Sequence, residues 1–251
     1  MQLPDALKEG IRQSPSGNQR ALRAAGGPPQ NAKASLTDFA YEVLLDKILF
    51  LDLPPHTLVD LRSVAKEIHT SVTPLNAALR RLEKIRLVRI LPRKGILITP
   101  VDFKELHSVF ELRLVLFSFV GRVAAQRIAL PALRELEDIL ALMEALVQQP
   151  ESRDQDREFF KLEKRSHDIL DEATGNEILK EANELCYYPS FRLWLIFKEQ
   201  LAPKVRMYQE WMEIYGALQA HDAQLAEQCC RKHVLNSIET VKMLFSAVTE
   251  L

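Results

Sequence analysis

Cysteine is scarce in this chain: only Cys186, Cys229 and Cys230 occur among 251 residues, an odd count with no Cys-x-x-Cys pair. That excludes a disulfide framework and a thiolate zinc site, and the vicinal Cys229 and Cys230 fall on different faces of any helix they share. Long apolar runs are missing too. The runs present, such as Leu114 to Val120 with its interruption at Ser118, fall far short of the ~20 residues needed to cross a bilayer. With no signal-peptide core at the start, the chain is expected to be soluble and cytoplasmic, with no membrane partner. Glycine is low, and four of the eight (Gly10, Gly17, Gly26 and Gly27) sit in the first 34 residues beside Pro4, Pro15, Pro28 and Pro29. This leader lacks helix or strand periodicity, so 1–34 is expected to be a disordered tail. No glycine-rich phosphate loop and no Gly-x-Ser-x-Gly elbow occurs, which leaves a nucleotide enzyme or serine hydrolase without its machinery.

What is present begins with apolar residues, 47% of the chain, enough to fill two cores over this length. A first helix is predicted from about Leu36 to Phe50, with Phe39, Val43, Leu44, Ile48 and Leu51 on its apolar face. Two further helical patterns, Leu58 to Ile68 and Thr73 to Ile85, follow with a turn of about four residues between them. Thr73 is the expected N-cap of the second and Pro74 its first helical residue. Leu75, Ala78, Leu79 and Leu82 share one face, leaving Asn76, Arg80, Arg81 and Lys84 to others. Leu87 to Leu91 and Ile96 to Thr99 then flank Pro92-Arg93-Lys94-Gly95, a hairpin signal with a basic tip. Between Leu58 and Thr99 there are nine basic and three acidic residues, a local charge of +6 in a chain of net charge −1. A basic module on a mildly acidic protein is the footprint of DNA binding, the alternative being an amphipathic helix pair with solvated charges.

Val64-Ala65, Thr73-Pro74, the run Ala78-Leu79-Arg80-Arg81-Leu82-Glu83, Leu87-Val88 and Pro92-Arg93-Lys94-Gly95 together resemble the winged helix-turn-helix of GntR-family bacterial transcription regulators. The resemblance implies a DNA-binding domain over 35–100 with Arg62, Ser71, Thr73, Asn76, Arg80, Arg93, Lys94 and Gly95 toward the duplex. One departure bears on sequence reading. Where the family's recognition helix opens Ser-Arg-Thr-Pro-Val-Arg-Glu-Ala-Leu, this chain has Ser71-Val72-Thr73-Pro74-Leu75-Asn76-Ala77-Ala78-Leu79. Both arginines are gone. Arginine reads guanine in bidentate fashion, whereas Asn suits adenine and Val offers only a methyl-type contact. An operator different from the family's common one is expected; loss of specific reading, leaving an interaction regulator, is the alternative.

From Asp102 the pattern is helical to the end. Helices are predicted from Asp102 to Ile128, Pro131 to Val147, Asp154 to Gly175, Asn176 to Lys198 with a bend at Pro189, Pro203 to Ala220, and Asp222 to Val248. The expected fold is therefore mainly α: an N-terminal winged helix-turn-helix with a small β-hairpin wing, then an all-α helical bundle over 101–251 with room for a cavity. This second part resembles the FCD effector domain of the FadR-like branch. The resemblance implies effector binding and dimerisation, and a metal held by an Asp and a His four residues apart with two later His. Here Glu163 takes the Asp position, His167 is kept and His233 matches the last His. Trp211 stands where the middle His belongs, and indole cannot ligate a metal. Glu163, His167 and His233 form a two-His-one-carboxylate set for a divalent ion such as Zn, Ni or Mn. The competing arrangement has His167 and His233 hydrogen-bonding an organic effector directly, with Trp211 as a pocket wall. Arg113 matches a family arginine suited either to an effector carboxylate or to a structural ion pair. The face around Leu114 to Val120 reads as a dimer seam. The expectation is a homodimeric, metabolite-responsive regulator of a double-stranded DNA operator, and not an enzyme; a metal-dependent enzyme built on Glu163, His167 and His233 has no further general base or nucleophile in view.

Overall fold

The computed structural model describes residues 36–100, 103–150, 152–197 and 204–249. The expected disordered leader and the Asp102 cap lie outside them. The chain divides into two compact units, Met1–Val101 and Asp102–Leu251.

In the first unit, α1 (Leu36–Leu49) buries Ala40, Tyr41, Leu44, Leu45 and Ile48. This face is rotated from the expected one, leaving Phe39 and Val43 half-buried. Lys47, itself buried, pairs with Glu67 at 2.8 Å and links α1 to the next helix. The second predicted helix does not begin at Leu58. Leu58–Val59 is a short strand, β1, and α2 runs Leu61–Glu67, capped by the Asp60 carboxylate, which accepts from the Arg62 and Ser63 amides at 3.0 Å each. The third predicted helix also starts earlier than Thr73. Ser71 is the N-cap of α3 (Val72–Lys84), so Thr73 and Pro74 are its second and third residues, still inside the turn where a missing N–H leaves nothing unsatisfied.

β2 (Val88–Leu91) and β3 (Gly95–Ile98) form the predicted hairpin, with Leu91 opposite Gly95. β1 adds to the other edge of β3, pairing Leu58 with Leu97, so the wing is a three-stranded antiparallel sheet of order β1-β3-β2. Gly95 is required by that addition. A Cβ there would lie 2.5 Å from the Val59 carbonyl oxygen, and its φ of +114° is one that other residues avoid.

The second unit has six helices and no strand among its described residues: α4 (Phe103–Arg127), α5 (Leu130–Val147), α6 (Arg153–Ala173), α7 (Glu177–Phe197), α8 (Lys204–Gln219) and α9 (Ala223–Thr249). Boundaries differ from expectation by a residue or two. Ser152 rather than Asp154 opens α6, its hydroxyl accepting from the Gln155 amide, and Leu130 precedes Pro131 in α5. Pro189 sits inside α7. The central helix is α4, which packs on α6, α7, α8 and α9. It buries residues on several faces, among them Phe110, Arg113, Phe117, Val120 and Ala124. Gly121 allows α9 its close approach, since a Cβ there would lie 2.5 Å from Cys230 Sγ and 2.8 Å from the Ala226 carbonyl oxygen. All three cysteines are free thiols. The architecture is the expected one: a winged helix-turn-helix and an all-α bundle.

Candidate functional site

In the first unit α3 divides cleanly. Leu75, Ala78, Leu79 and Leu82 are buried, while Thr73, Ala77 and Arg80 are exposed and Asn76 is half-buried. Thr73, Asn76 and Arg80 follow each other at three- and four-residue steps, which places them on one face. Ser71 lies exposed at the N-terminus of the same helix, and its hydroxyl makes no capping bond. Arg62 is exposed in the first turn of α2. At the wing tip Arg93 and Lys94 are both exposed, Arg93 with a positive φ of 63°, in a turn closed by the Lys94 amide donating to the Leu91 carbonyl at 3.1 Å. Arg81 is engaged within the unit. Its guanidinium lies 3.9 Å from the centre of the Tyr41 ring and pairs with Asp38 at 2.6 Å, so it holds α3 to α1.

In the second unit four helices bring the other candidates together. Glu163 and His167 lie one turn apart on α6, with His167 Nε2 2.8 Å from Glu163 Oε1. His233 comes from α9, its Nε2 3.8 Å from the same oxygen. Arg113 of α4 donates to Ser190 Oγ at 2.7 Å and stands 3.5 Å from His167 Nε2. Phe117 covers the cluster, its ring 4.4 Å from that of His167. Trp211 is fully buried, with its ring 5.0 Å from His167 and 5.8 Å from His233. It packs against the histidines rather than forming the expected wall. The adjoining cavity is small, about 20 Å³, and is lined instead by Arg113, Glu163, Tyr187, Ser190 and His233, with Phe110, Phe191, Met207 and Ser237.

Three residues of this cluster escape a reading of the sequence. Tyr187 donates its hydroxyl to Glu163 Oε2, Ser190 accepts from Arg113, and Glu210 takes His233 Nδ1 at 2.8 Å. Glu210 carries the one available signal, a carboxylate in step with Ile214 and Leu218 on the buried stripe of α8. Nothing in the pattern around Tyr187 or Ser190 marks them.

Charge in the cluster follows from burial and pairing. Burial alone would raise the Glu163 pKa, but the charge and hydrogen bond of His167, joined by His233 and Tyr187, outweigh it and hold the carboxyl at about 2. His167 is pushed down to about 4 by burial, against the pull of Glu163 and with the help of Arg113 and His233. Burial also lowers the Arg113 pKa and, with Glu163 beside it, raises that of Tyr187. At neutral pH the cluster thus holds an ionised carboxylate and a neutral His167, the protonation states a metal ion requires. The donor atoms of Glu163, His167 and His233 all lie within 4.8 Å of one another and are buried, close enough to converge on one divalent ion after a small side-chain adjustment. With Trp211 unable to serve, remaining positions would fall to water or to effector oxygens.

Comparison with known proteins agrees with both units. The family model for the FCD domain matches residues 108–236, and that described as bacterial regulatory proteins, gntR family, matches 36–98. The HTH-type transcriptional repressor RspR of Escherichia coli (strain K12) is 21% identical over 204 residues, 81% of this chain and 88% of that protein. Among solved structures, E. coli McbR/YncC is similar with a TM-score of 0.69 at 18% identity, covering 84% of this chain and 99% of that one. A putative transcriptional regulator GntR from Rhodococcus sp. RHA1 gives 0.60 at 16% identity, covering 83% and 99%. No described helix is long and apolar enough to cross a membrane.

Proposed function

Because the chain belongs to the GntR family of transcription regulators, with an FCD domain following its helix-turn-helix, we propose that it responds to a ligand by changing its grip on a specific operator. Residues 35–100 form the DNA-binding module and 101–251 the effector-binding and dimerisation module. The observation that carries the DNA assignment is the solvent-facing row Thr73, Asn76 and Arg80 on α3, flanked by Ser71, Arg62 and the Arg93-Lys94 tip. Asn76 reads a base edge, with adenine the natural partner, and the cations meet phosphate or minor groove. Gly95 lets the wing close tightly behind that tip.

Two copies bind an inverted repeat. Leu112, Val115 and Phe119 are exposed at three- and four-residue steps along α4, an apolar stripe that a second copy covers. In the bundle, Arg113 receives the carboxylate of a small metabolite beside His233, with His167 and Trp211 packed behind that cavity. A divalent ion (Zn, Ni or Mn) on Glu163, His167 and His233 supplies a Lewis-acidic anchor for the same ligand when bound. The effector favours one placement of the two DNA-binding modules over another and so shifts operator affinity. Gel shift on the DNA upstream of its own coding region tests the assignment. A complex that outlasts excess random duplex is the expected result. Equal displacement by random DNA means that specific reading is lost and favours an interaction regulator.

A further inference from the structure

We infer that Glu210 is a positioning residue: it holds the His233 imidazole as the Nδ1–H tautomer and so presents a bare Nε2 toward Glu163 and His167. The inference rests on reading that cluster as a divalent-cation site. Glu210 is buried on α8, and three side chains converge on its carboxylate, all of them able to donate. His233 Nδ1 lies 2.8 Å from Oε2, Asn236 Nδ2 donates to Oε1 at 2.6 Å, and Arg206 Nε is 3.5 Å from Oε1. A carboxylate surrounded by donors is an acceptor only, so the proton between Glu210 and His233 belongs to Nδ1. In the neutral ring of that tautomer Nε2 carries the lone pair, and it faces Glu163 Oε1 across 3.8 Å. Two acceptors turned toward each other in a buried space make an arrangement completed by a cation.

His167 is built the other way. Its Nε2 reaches Glu163 Oε1 at 2.8 Å, and its buried Nδ1 has no hydrogen-bond partner. One imidazole is therefore oriented by an outer carboxylate and the other is not. The neighbour of Glu210 is Trp211, the residue standing where a third imidazole would be. This chain thus has indole beside the carboxylate that aims one of its two imidazoles. An outer carboxylate of this kind fixes tautomer and ring orientation, and losing it weakens metal binding by roughly 10–100-fold.

The test uses the full-length chain, stripped of metal and labelled with ¹⁵N at histidine. Long-range ¹H–¹⁵N correlation at neutral pH reports which ring nitrogen carries the proton. His233 is expected as Nδ1–H in the wild type and as a mixture in Glu210→Gln, because an amide can donate as well as accept. Zn²⁺ affinity, read by competition with a chromophoric chelator, is expected to fall about 10–100-fold in Glu210→Gln. In a His233→Gln background the same change should do nothing further, since there is no ring left to aim. A wild-type His233 protonated at Nε2 overturns the inference without any variant having to fold. So does an unchanged Zn²⁺ affinity in Glu210→Gln, which leaves the cation site standing. A wild type that takes up no Zn²⁺, Ni²⁺ or Mn²⁺ removes the cation site itself, and the inference with it.

Discussion

Replacing Asp171 by Asn isolates a buried proton that the bundle holds at neutral pH. Asp171 stands two turns beyond Glu163 and one beyond His167 on the same face of α6, and it is 3% exposed. Both its oxygens lie near Asn183 Nδ2, at 2.9 and 3.1 Å. Burial raises its pKa from an ordinary 3.8 to about 7, the hydrogen bond from Asn183 opposing. Between these values the unfolded chain has released a proton that the folded chain keeps, so stability falls as pH rises from about 4 to about 7. At 1.36 kcal/mol per pH unit that interval is worth about 4 kcal/mol. His167 works in the opposite sense. Its folded pKa of about 4 lies below the ordinary 6.5, so between those values the unfolded chain takes up a proton that the fold refuses, and stability rises with pH. The two slopes overlap and nearly cancel in the wild type. Only the difference between variant and wild type shows either one. Asp171→Asn should carry a roughly constant penalty of about 1–2 kcal/mol for its unpartnered amide N–H groups. Against that offset, it should gain about 2–4 kcal/mol on the wild type between pH 4.5 and pH 8. Urea unfolding with chelator present, followed by tryptophan emission, measures this, because both Trp194 and Trp211 lie beyond residue 102. A variant-minus-wild-type difference that stays constant across that range would refute the reasoning, because Asp171 would then be ionised in the fold.

Arg93→Ala with Lys94→Ala removes two exposed cations from each wing, four in a dimer. If each meets one phosphate, the slope of log Kobs against log salt should become shallower by about 3.6, with similar loss on operator and random duplex; an unchanged slope removes the wing from the interface. Gly121→Val should lower bundle stability by about 3 kcal/mol in chemical denaturation, because its Cβ falls 2.5 Å from Cys230 Sγ and 2.8 Å from backbone. Wild-type stability there would mean that α4 and α9 pack less closely. Val115→Glu with Phe119→Glu places two charges on the exposed stripe of α4, and sedimentation is expected to show a dimer for the wild type and monomers for the variant. A dimer unchanged in strength assigns the seam elsewhere.

Much of this molecule is legible in its sequence, because the strongest patterns coincide with the elements that bury most. The alternation of Leu75, Ala78, Leu79 and Leu82 against polar positions states both the existence of α3 and which way it faces. What escaped was short or distant. β1 is two residues long, too brief for any periodicity, and it exists only because Leu97 and Ile96 offer an edge nearly 40 residues away. The start of α3 was misplaced because Ser71 and Thr73 are both cap-competent and Pro is tolerated throughout a first turn. Arg81 looked like its neighbour Arg80, and only the packing of α1 beside α3 reveals that Tyr41 and Asp38 occupy it. In the bundle, the four-residue spacing of Glu163 and His167 was readable, but Tyr187, Ser190 and Glu210 gain meaning only when α7 and α8 close around them.

The central claim is that the outward face of α3 reads bases. The measurement closest to it is fluorescence anisotropy at 150 mM salt, comparing a selected high-affinity duplex with a scrambled one for wild type and Asn76→Ala. The account predicts that the wild type prefers the selected duplex and that the variant loses most of that preference while still binding both. If Asn76→Ala weakens both duplexes equally, or neither, then α3 does not read the sequence and the account is wrong.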